Sequence, residues 1–237
     1  MLPKNLPSIK DAPLNMTTTQ DKVYKTVLDR VILLNPRHES MLKDLLGSAV
    51  ILETPLPARS LCRLLQLLEA EGFHLLDGLH AVLYVPDDLA EPLRVHDVSF
   101  RTYMSEERRC GNPSLLVEPK QIHRTLATNC VTIMSELLKQ DVFGGEYTGT
   151  LGASAAGSQL DRFLPLEVQY ACINWVHHLQ NGHTGVTMDS PAINFLNAHL
   201  LDWLEAMGWM QKITEAIDMI VSLKSMSHVR SAYPNWV

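Results

Sequence analysis

The chain has 237 residues, of which 46% are apolar and 19% charged, with a formal net charge of −6 when histidine is neutral. That length suits one large domain or two small ones with an adequate core, and the charge argues against a uniform polyanion binder, which needs clustered Lys and Arg to meet phosphates. The four cysteines, Cys62, Cys110, Cys130 and Cys172, are far apart and form no C-x-x-C pair; they read as buried thiols of a reducing compartment, not as a disulfide framework.

Residues 1–20 carry three prolines and three consecutive threonines and are expected to be a flexible linker. They contain no signal-length apolar run, and nothing in the chain approaches the ~18–20 apolar residues of a membrane span. A cytoplasmic protein is expected. A helix is predicted from near Asp21, which can cap it, with Val23, Tyr24, Val27, Leu28 and Val31 on one face. After the Asn35-Pro36 break a second helix carries Met41, Leu42, Leu45, Leu46, Ala49, Val50 and Leu52. The stop Thr54-Pro55-Leu56-Pro57 precedes a third helix, predicted over 58–70 and ended at Gly72.

The pattern then changes. Ala81-Val82-Leu83-Tyr84-Val85 is strand-like, Pro86 to Pro92 is a polar loop, and Leu93-Arg94-Val95-His96 alternates apolar and polar. Together they predict a β-hairpin. Three helices followed by a hairpin is the order of a winged-helix domain, assigned to 21–110. A helical turn or two is expected over 99–110. Glu106 to Arg109 and Cys110-Gly111-Asn112-Pro113 mark the boundary with the second half.

Residues 111–237 read as helical throughout. The stripes are Ile122, Leu126, Cys130, Ile133 and Leu137; Val168, Cys172, Trp175 and Leu179; Phe195, Leu196, Leu200, Trp203, Leu204 and Met207; and Ile213, Ile217, Ile220 and Leu223. Each helix has one apolar face that needs a neighbour, so a bundle or the start of a solenoid follows. A small-residue run from Gly144 to Ser158 predicts a mobile loop near 144–160. The expected fold is mainly α: a winged-helix domain with a small hairpin wing, then a helical bundle.

Catalytic and metal motifs find little support. No glycine is followed by lysine, so the small-residue run is no P-loop. His177, His178 and His183 lack the spacing of zinc ligands and read as surface or capping residues. No G-x-S-x-G or Cys/His motif marks a nucleophile. The adjacent carboxylates Asp87-Asp88 and Glu106-Glu107 read as solvated turns. As a DNA-recognition helix the third helix offers only Arg59 and Arg63 as cations beside Glu69 and Glu71, which favours a winged helix that packs against protein. The tryptophan-bearing faces read as core, with Trp209, Tyr233 and Trp236 as candidates for exposure.

Several segments together resemble one family. They are Val23-Tyr24-Lys25-Thr26-Val27-Leu28, Leu46-Gly47-Ser48-Ala49-Val50-Ile51-Leu52, Pro55-Leu56-Pro57-Ala58-Arg59-Ser60-Leu61, Leu79-His80-Ala81-Val82-Leu83, Val95-His96-Asp97-Val98-Ser99-Phe100-Arg101 and Arg109-Cys110-Gly111-Asn112-Pro113. With them go Leu164-Pro165-Leu166-Glu167-Val168-Gln169-Tyr170-Ala171-Cys172-Ile173-Asn174-Trp175-Val176-His177-His178-Leu179 and His199-Leu200-Leu201-Asp202-Trp203-Leu204-Glu205-Ala206-Met207. The sequence resembles the region that follows the NACHT nucleotide-binding domain in fungal NOD-like receptors, the STAND-class NTPases that include vegetative incompatibility proteins.

The resemblance implies a non-catalytic control segment. In such receptors it lies between the NTPase core and C-terminal repeats, holds the core at rest, and relays a signal in heterokaryon incompatibility or innate-immunity-like responses. The Walker A and Walker B residues are absent from this sequence, so no ATP hydrolysis and no cofactor of its own are expected. ATP or ADP enters only through a joined or docked NACHT domain. The implied partners are that domain and the repeats, with no membrane and no nucleic acid. A phosphate-sensing histidine near the end of the wing would correspond to His96, or by register to Asp97. Where fungal relatives place His two residues before the Ser-Phe pair, this chain has Asp97. The alternatives are a DNA-binding winged helix and a stand-alone adaptor that binds NACHT proteins in trans. The chain is expected to be one piece of the larger receptor architecture.

Overall fold

The computed structural model describes residues 19–88, 90–138, 156–184, 187 and 189–226. Of the linker read over 1–20, residues 1–18 lie outside the described residues and Thr19 and Gln20 instead open the first helix, and most of the loop read near 144–160 also lies outside the described residues. The elements run α1 (Thr19–Leu34), α2 (Glu39–Ile51), α3 (Ala58–Leu64), α4 (Glu69–Asp77), β1 (Leu83–Tyr84), β2 (Arg94–Val95), α5 (Val98–Ser105) and α6 (Glu107–Cys110). A 3₁₀ turn (Pro113–Leu115) follows, then α7 (Pro119–Leu137), α8 (Ala156–Phe163), α9 (Leu166–Asn181), α10 (Pro191–Trp209) and α11 (Ile213–Met226). The chain is mainly helical, as expected. Among the described residues one hairpin forms, pairing Leu83 with Val95 and Tyr84 with Arg94, antiparallel, where the strand signals placed it.

Local chemistry sets many of these boundaries. Pro119 and Pro191 open α7 and α10 at the first helical turn, where their missing N–H costs nothing. Gly111, at φ 63°, stops α6 in the left-handed region that glycine tolerates. Three other helices end in the same geometry without glycine, at Gln66, His183 and Gln211, with φ of 57°, 50° and 59°. In each the next amide reaches back over the last turn: Leu67 to the Cys62 carbonyl at 2.9 Å, Thr184 to Leu179 at 3.1 Å, and Lys212 to Met207 at 2.8 Å. These are Schellman closures.

The Gln66 closure corrects the predicted third helix. Instead of one helix over 58–70, α3 stops at Leu64 and α4 starts at Glu69. The turn lets Leu61 and Leu64 from one helix and Leu75 and Leu76 from the other all face inward, where each is buried. Gly72 does not end a helix; it lies inside α4, where a Cβ would collide with Cys62 Sγ. Its role is to let α4 lie against α3. At the other end of the predicted loop, α8 begins at Ala156, inside the small-residue run.

Asp21 does not cap α1. It sits buried in the first turn, and Arg109 of α6 grips it with two hydrogen bonds, the shorter 2.7 Å. This pairing fastens α6 to α1 beside a cluster in which Tyr24 lies edge-on to Phe100 and Tyr103, centroids 5.1 and 5.3 Å apart. Val23, assigned to the apolar stripe, is exposed.

The second half is organised on α7 and α9. Arg124, near the start of α7, donates to the Gly182 carbonyl just past α9 at 2.8 Å, so the two helices run antiparallel. The apolar faces read from sequence are buried on both, apart from Leu137, and Trp175 and Trp203 are core residues as expected. Trp175 meets Phe195 and Trp203 at 5.6 and 5.9 Å. Both partners come from α10, which is broken at His199 (φ −128°, ψ 15°) between them. The four cysteines are buried and free. Of the tryptophan and tyrosine candidates for exposure, Trp209 is half-buried, and Tyr233 and Trp236 lie outside the described residues.

Helix α11 keeps only Leu223 of its predicted face inside. Ala216, Met219 and Leu223 point inward, while Ile213, Ile217, Ile220 and Val221 are exposed. Two apolar arcs share this helix, and the small Ala216 lies on the inner one. Ile213, Ile217 and Ile220 of the predicted stripe lie on the outer one.

The core is continuous across the boundary at Cys110. One buried cluster runs from Tyr24 to Leu223. Gly47 of α2 makes this close packing possible, since a Cβ there would lie 2.7 Å from Ile122 Cδ1 on α7.

Two substitutions test these packing claims. Gly72→Ala is expected to destabilise the chain by about 1–3 kcal/mol despite alanine's better helix propensity. Adding Cys62→Ala should recover at least about 1 kcal/mol as a coupling term in urea unfolding. Gln66→Gly should instead stabilise by roughly 0.5–1 kcal/mol, because glycine holds the left-handed region without strain.

Candidate functional site

The wing-end pair named from sequence lies where β2 hands over to α5. Asp97 is the N-cap of α5: its carboxylate accepts from the Ser99 amide at 2.7 Å and from Gln20 at 3.1 Å. The bond from the Ser99 amide, and then that from its hydroxyl, hold the exposed carboxyl below its ordinary range. Ser99 in turn meets the Tyr24 hydroxyl at 2.8 Å. The exposed His96 donates through Nε2 to the His80 carbonyl at 3.0 Å, and its amide bonds the Val82 carbonyl at 3.2 Å. The structure therefore gives both residues local work, closing the hairpin and starting α5, and brings no other sequence-named site residue to them.

The two arginines that were candidates for phosphate contact are engaged elsewhere. Arg59 and Arg63 both donate to Glu69, at 3.1 and 2.9 Å, and Arg63 also reaches the buried Glu167 of α9 at 3.3 Å. They tie α3 to α4 and to α9. A cation committed to two carboxylates is a poor phosphate ligand, since binding DNA would strip Glu167 of the Arg63 contact.

The histidines divide. His183 caps α9, as expected of a capping residue, through its left-handed backbone. His177 is part-exposed and meets Glu53 at 3.0 Å. His178 corrects the surface reading: it is fully buried. Its Nε2 lies 2.8 Å from the Tyr170 hydroxyl, and its Nδ1 lies 2.8 Å from Nδ1 of His123 on α7. The three imidazoles pack with centroids 5.1 to 5.6 Å apart. Burial, then the neighbouring His123 and His177, pulls His178 down to about 3, and burial lowers His123 as well. Burial also raises the Tyr170 phenol, which therefore stays protonated at ordinary pH. Among the described residues no three His, Cys, Asp or Glu side chains are arranged to hold a metal ion.

Tyr170 links this polar chain to a groove of about 270 Å³ at the seam between the halves. Its walls are Thr54 to Pro57 from the α2–α3 connection, Pro92 from the hairpin loop, and Leu166, Ile173 and Asn174 from α9. Pro57 bridges to Pro92, and the Leu93 amide donates to the Leu56 carbonyl at 2.9 Å, so the hairpin base forms one edge. Most of the polar atoms here are already spoken for: Gln169 bonds Asp161 and the Leu164 carbonyl, and Asn174 bonds the Tyr170 carbonyl. Chemically this is an apolar seam over a hydrogen-bonded interior.

His123, Tyr170 and Glu53 were missed from sequence. The first leaves a signal in hindsight of geometry: His123 shares a helical face with Ile122, Leu126 and Cys130, and His178 shares one with Ala171 and Trp175. A histidine on an apolar stripe has to be buried and bonded.

No family model, curated protein sequence or solved structure matches the chain. Among the described residues no helix is long and apolar enough to cross a membrane.

Tyr170→Phe is expected to cost about 1–2 kcal/mol in urea unfolding, because it removes the hydroxyl from buried Nε2 of His178 while leaving the ring in place.

Proposed function

We propose that the chain is a non-catalytic control segment, working through protein contacts as the region after the NACHT domain does in fungal NOD-like receptors. In this reading residues 21–110 are the winged helix and 111–237 the helical segment. Together they restrain a nucleotide-binding domain at rest and relay its release in an incompatibility or immunity-like response. ATP or ADP belongs to that partner domain, and His96 with Asp97 at the end of the wing faces its phosphates. The cytoplasm is the proposed compartment.

The observation that supports this reading best is the element order, helices α1 to α4 followed at once by the β1–β2 hairpin, on a core that continues into α7, α9, α10 and α11. The outer face of α10–α11 adds to it. Leu201 on α10 is exposed, as are Ile213, Ile217, Ile220 and Val221 on α11. Apolar residues at i, i+4, i+7 and i+8 suit contact with another helix, and exposed groups of this kind mark interaction surfaces.

The test is binding of the purified chain to a recombinant NACHT domain of the resembled class. Binding that Ile217→Asp with Val221→Asp weakens at least about tenfold, a loss of about 1.4 kcal/mol, with helical content unchanged, is the expected result. The chain alone should release no phosphate from ATP and Mg²⁺. Turnover by the chain, or no retention on any such domain, overturns the reading.

A further inference from the structure

We propose that His123 and His178 form a proton-operated latch between α7 and α9, holding the helices together while the pair carries at most one proton and releasing them when acid loads a second. The geometry that carries this is the Nδ1-to-Nδ1 contact of 2.8 Å between two buried imidazoles, with the Tyr170 hydroxyl 2.8 Å from the outer nitrogen of His178.

The hydrogens can be counted. With both rings neutral, the Tyr170 hydroxyl donates to His178 Nε2, and His178 Nδ1–H donates to His123 Nδ1. Every contact then has one donor and one acceptor. One added proton is accommodated. If it sits on His178, Nε2–H donates to the Tyr170 oxygen and Nδ1–H still donates to His123. If it sits on His123, the central bond reverses, and His178 accepts at Nδ1 and donates from Nε2. A second proton has no such arrangement. Both Nδ1 atoms then carry hydrogen, two donors face each other at 2.8 Å, and two positive charges share a site removed from water. The pair titrates as a unit, not as two independent histidines.

The other titratable groups around the pair set its bias. His177, from α9, acts on both rings and opposes their protonation. Glu53, from the α2–α3 connection, favours it at His123 and partners His177 at 3.0 Å. Cys130, from α7, acts on the Tyr170 phenol in the same sense as burial, so that group stays neutral. Arg124, next to His123, is held on the Gly182 carbonyl. Glu167, at the other end of α9, is tied to Arg63 of α3.

The sign follows. Burial lowers both histidines, so the folded chain binds fewer protons than the unfolded chain below their ordinary value near 6.5. Stability from the pair is complete above about pH 6.5 and declines as pH falls toward 3. What opens first is the α7–α9 contact with the Glu53 connection beside it.

Two measurements on the full chain test the latch. The first is urea unfolding between pH 7 and pH 4 for the native sequence and for His178→Gln and His123→Gln. In the native chain log K for unfolding should change with pH more steeply, by about one proton, than in either variant. The second reads opening itself: thiol labelling of Cys130 on α7 and Cys172 on α9, each normalised to the urea-unfolded chain at the same pH. Labelling should rise up to about tenfold per pH unit below pH 6 in the native chain and stay flat in the variants. If the glutamine variants fail to fold, imidazole ¹⁵N spectra of the native chain decide. Coupled resonances with one Nδ1 bare and one protonated at neutral pH support the latch. Two independent titrations near 6.5, or superimposable pH slopes, overturn it.

Discussion

The close antiparallel packing of α7 on α9 is the constraint on which the rest of the molecule depends. Helices α2, α3, α10 and α11 each pack against this pair, while α1 packs on α5 and α6. From the first half, α2 reaches α7 across Gly47, and α3 is tied to α9 through Arg63 and Glu167. From the second, α10 sends Phe195 and Trp203 to Trp175, and Trp203 donates to the Cys172 carbonyl of α9 at 3.1 Å. Such an interface tolerates little volume change, because interiors pack at crystal-like density. The buried His123–His178 contact at its end is therefore costly to leave unmatched, and it ties the stability of the pair to protons.

This arrangement explains why an apolar seam and a polar chain occupy the same place. The α2–α3 connection, the hairpin base and α9 meet where Tyr170 faces both. Glu53 and His177 close the outside, and the hydrogen-bonded imidazoles fill the inside. A proposed control segment needs such a joint. The halves are joined here by Arg63 with Glu167 and by His177 with Glu53, while the His123–His178 contact lies within the second half, between α7 and α9. The exposed apolar residues of α11 are not among those that line this groove.

Much of the fold was legible because the signals were local. Apolar spacing marked α2, α7 and α9, and alternation marked the hairpin. What was not legible depends on tertiary packing. The split between α3 and α4 rests on Gln66, a residue with no special preference for the left-handed region, so no glycine announced the stop. Gly72 looked like a terminator because its need is a neighbour, Cys62, ten residues away. On α11 both arcs are apolar, and only packing decides that Ala216 and Met219 turn inward. The site was less legible still. Asp97 and His96 were found, but their hydrogen bonds are to nearby backbone and to Gln20. His178 was read as a surface residue because its partner, His123, lies 55 positions away.

On this view the described residues of both halves share one cooperative core through α7 and α9. Native-state hydrogen exchange over a range of low urea concentrations tests this most directly. Amides of α2, α3, α7 and α9 should reach the same opening free energy and respond to urea with the same slope, as a single global unit. If the amides of α2 and α3 open at a distinctly lower free energy while α7 and α9 remain protected, the two halves are separate bodies and the account is contradicted.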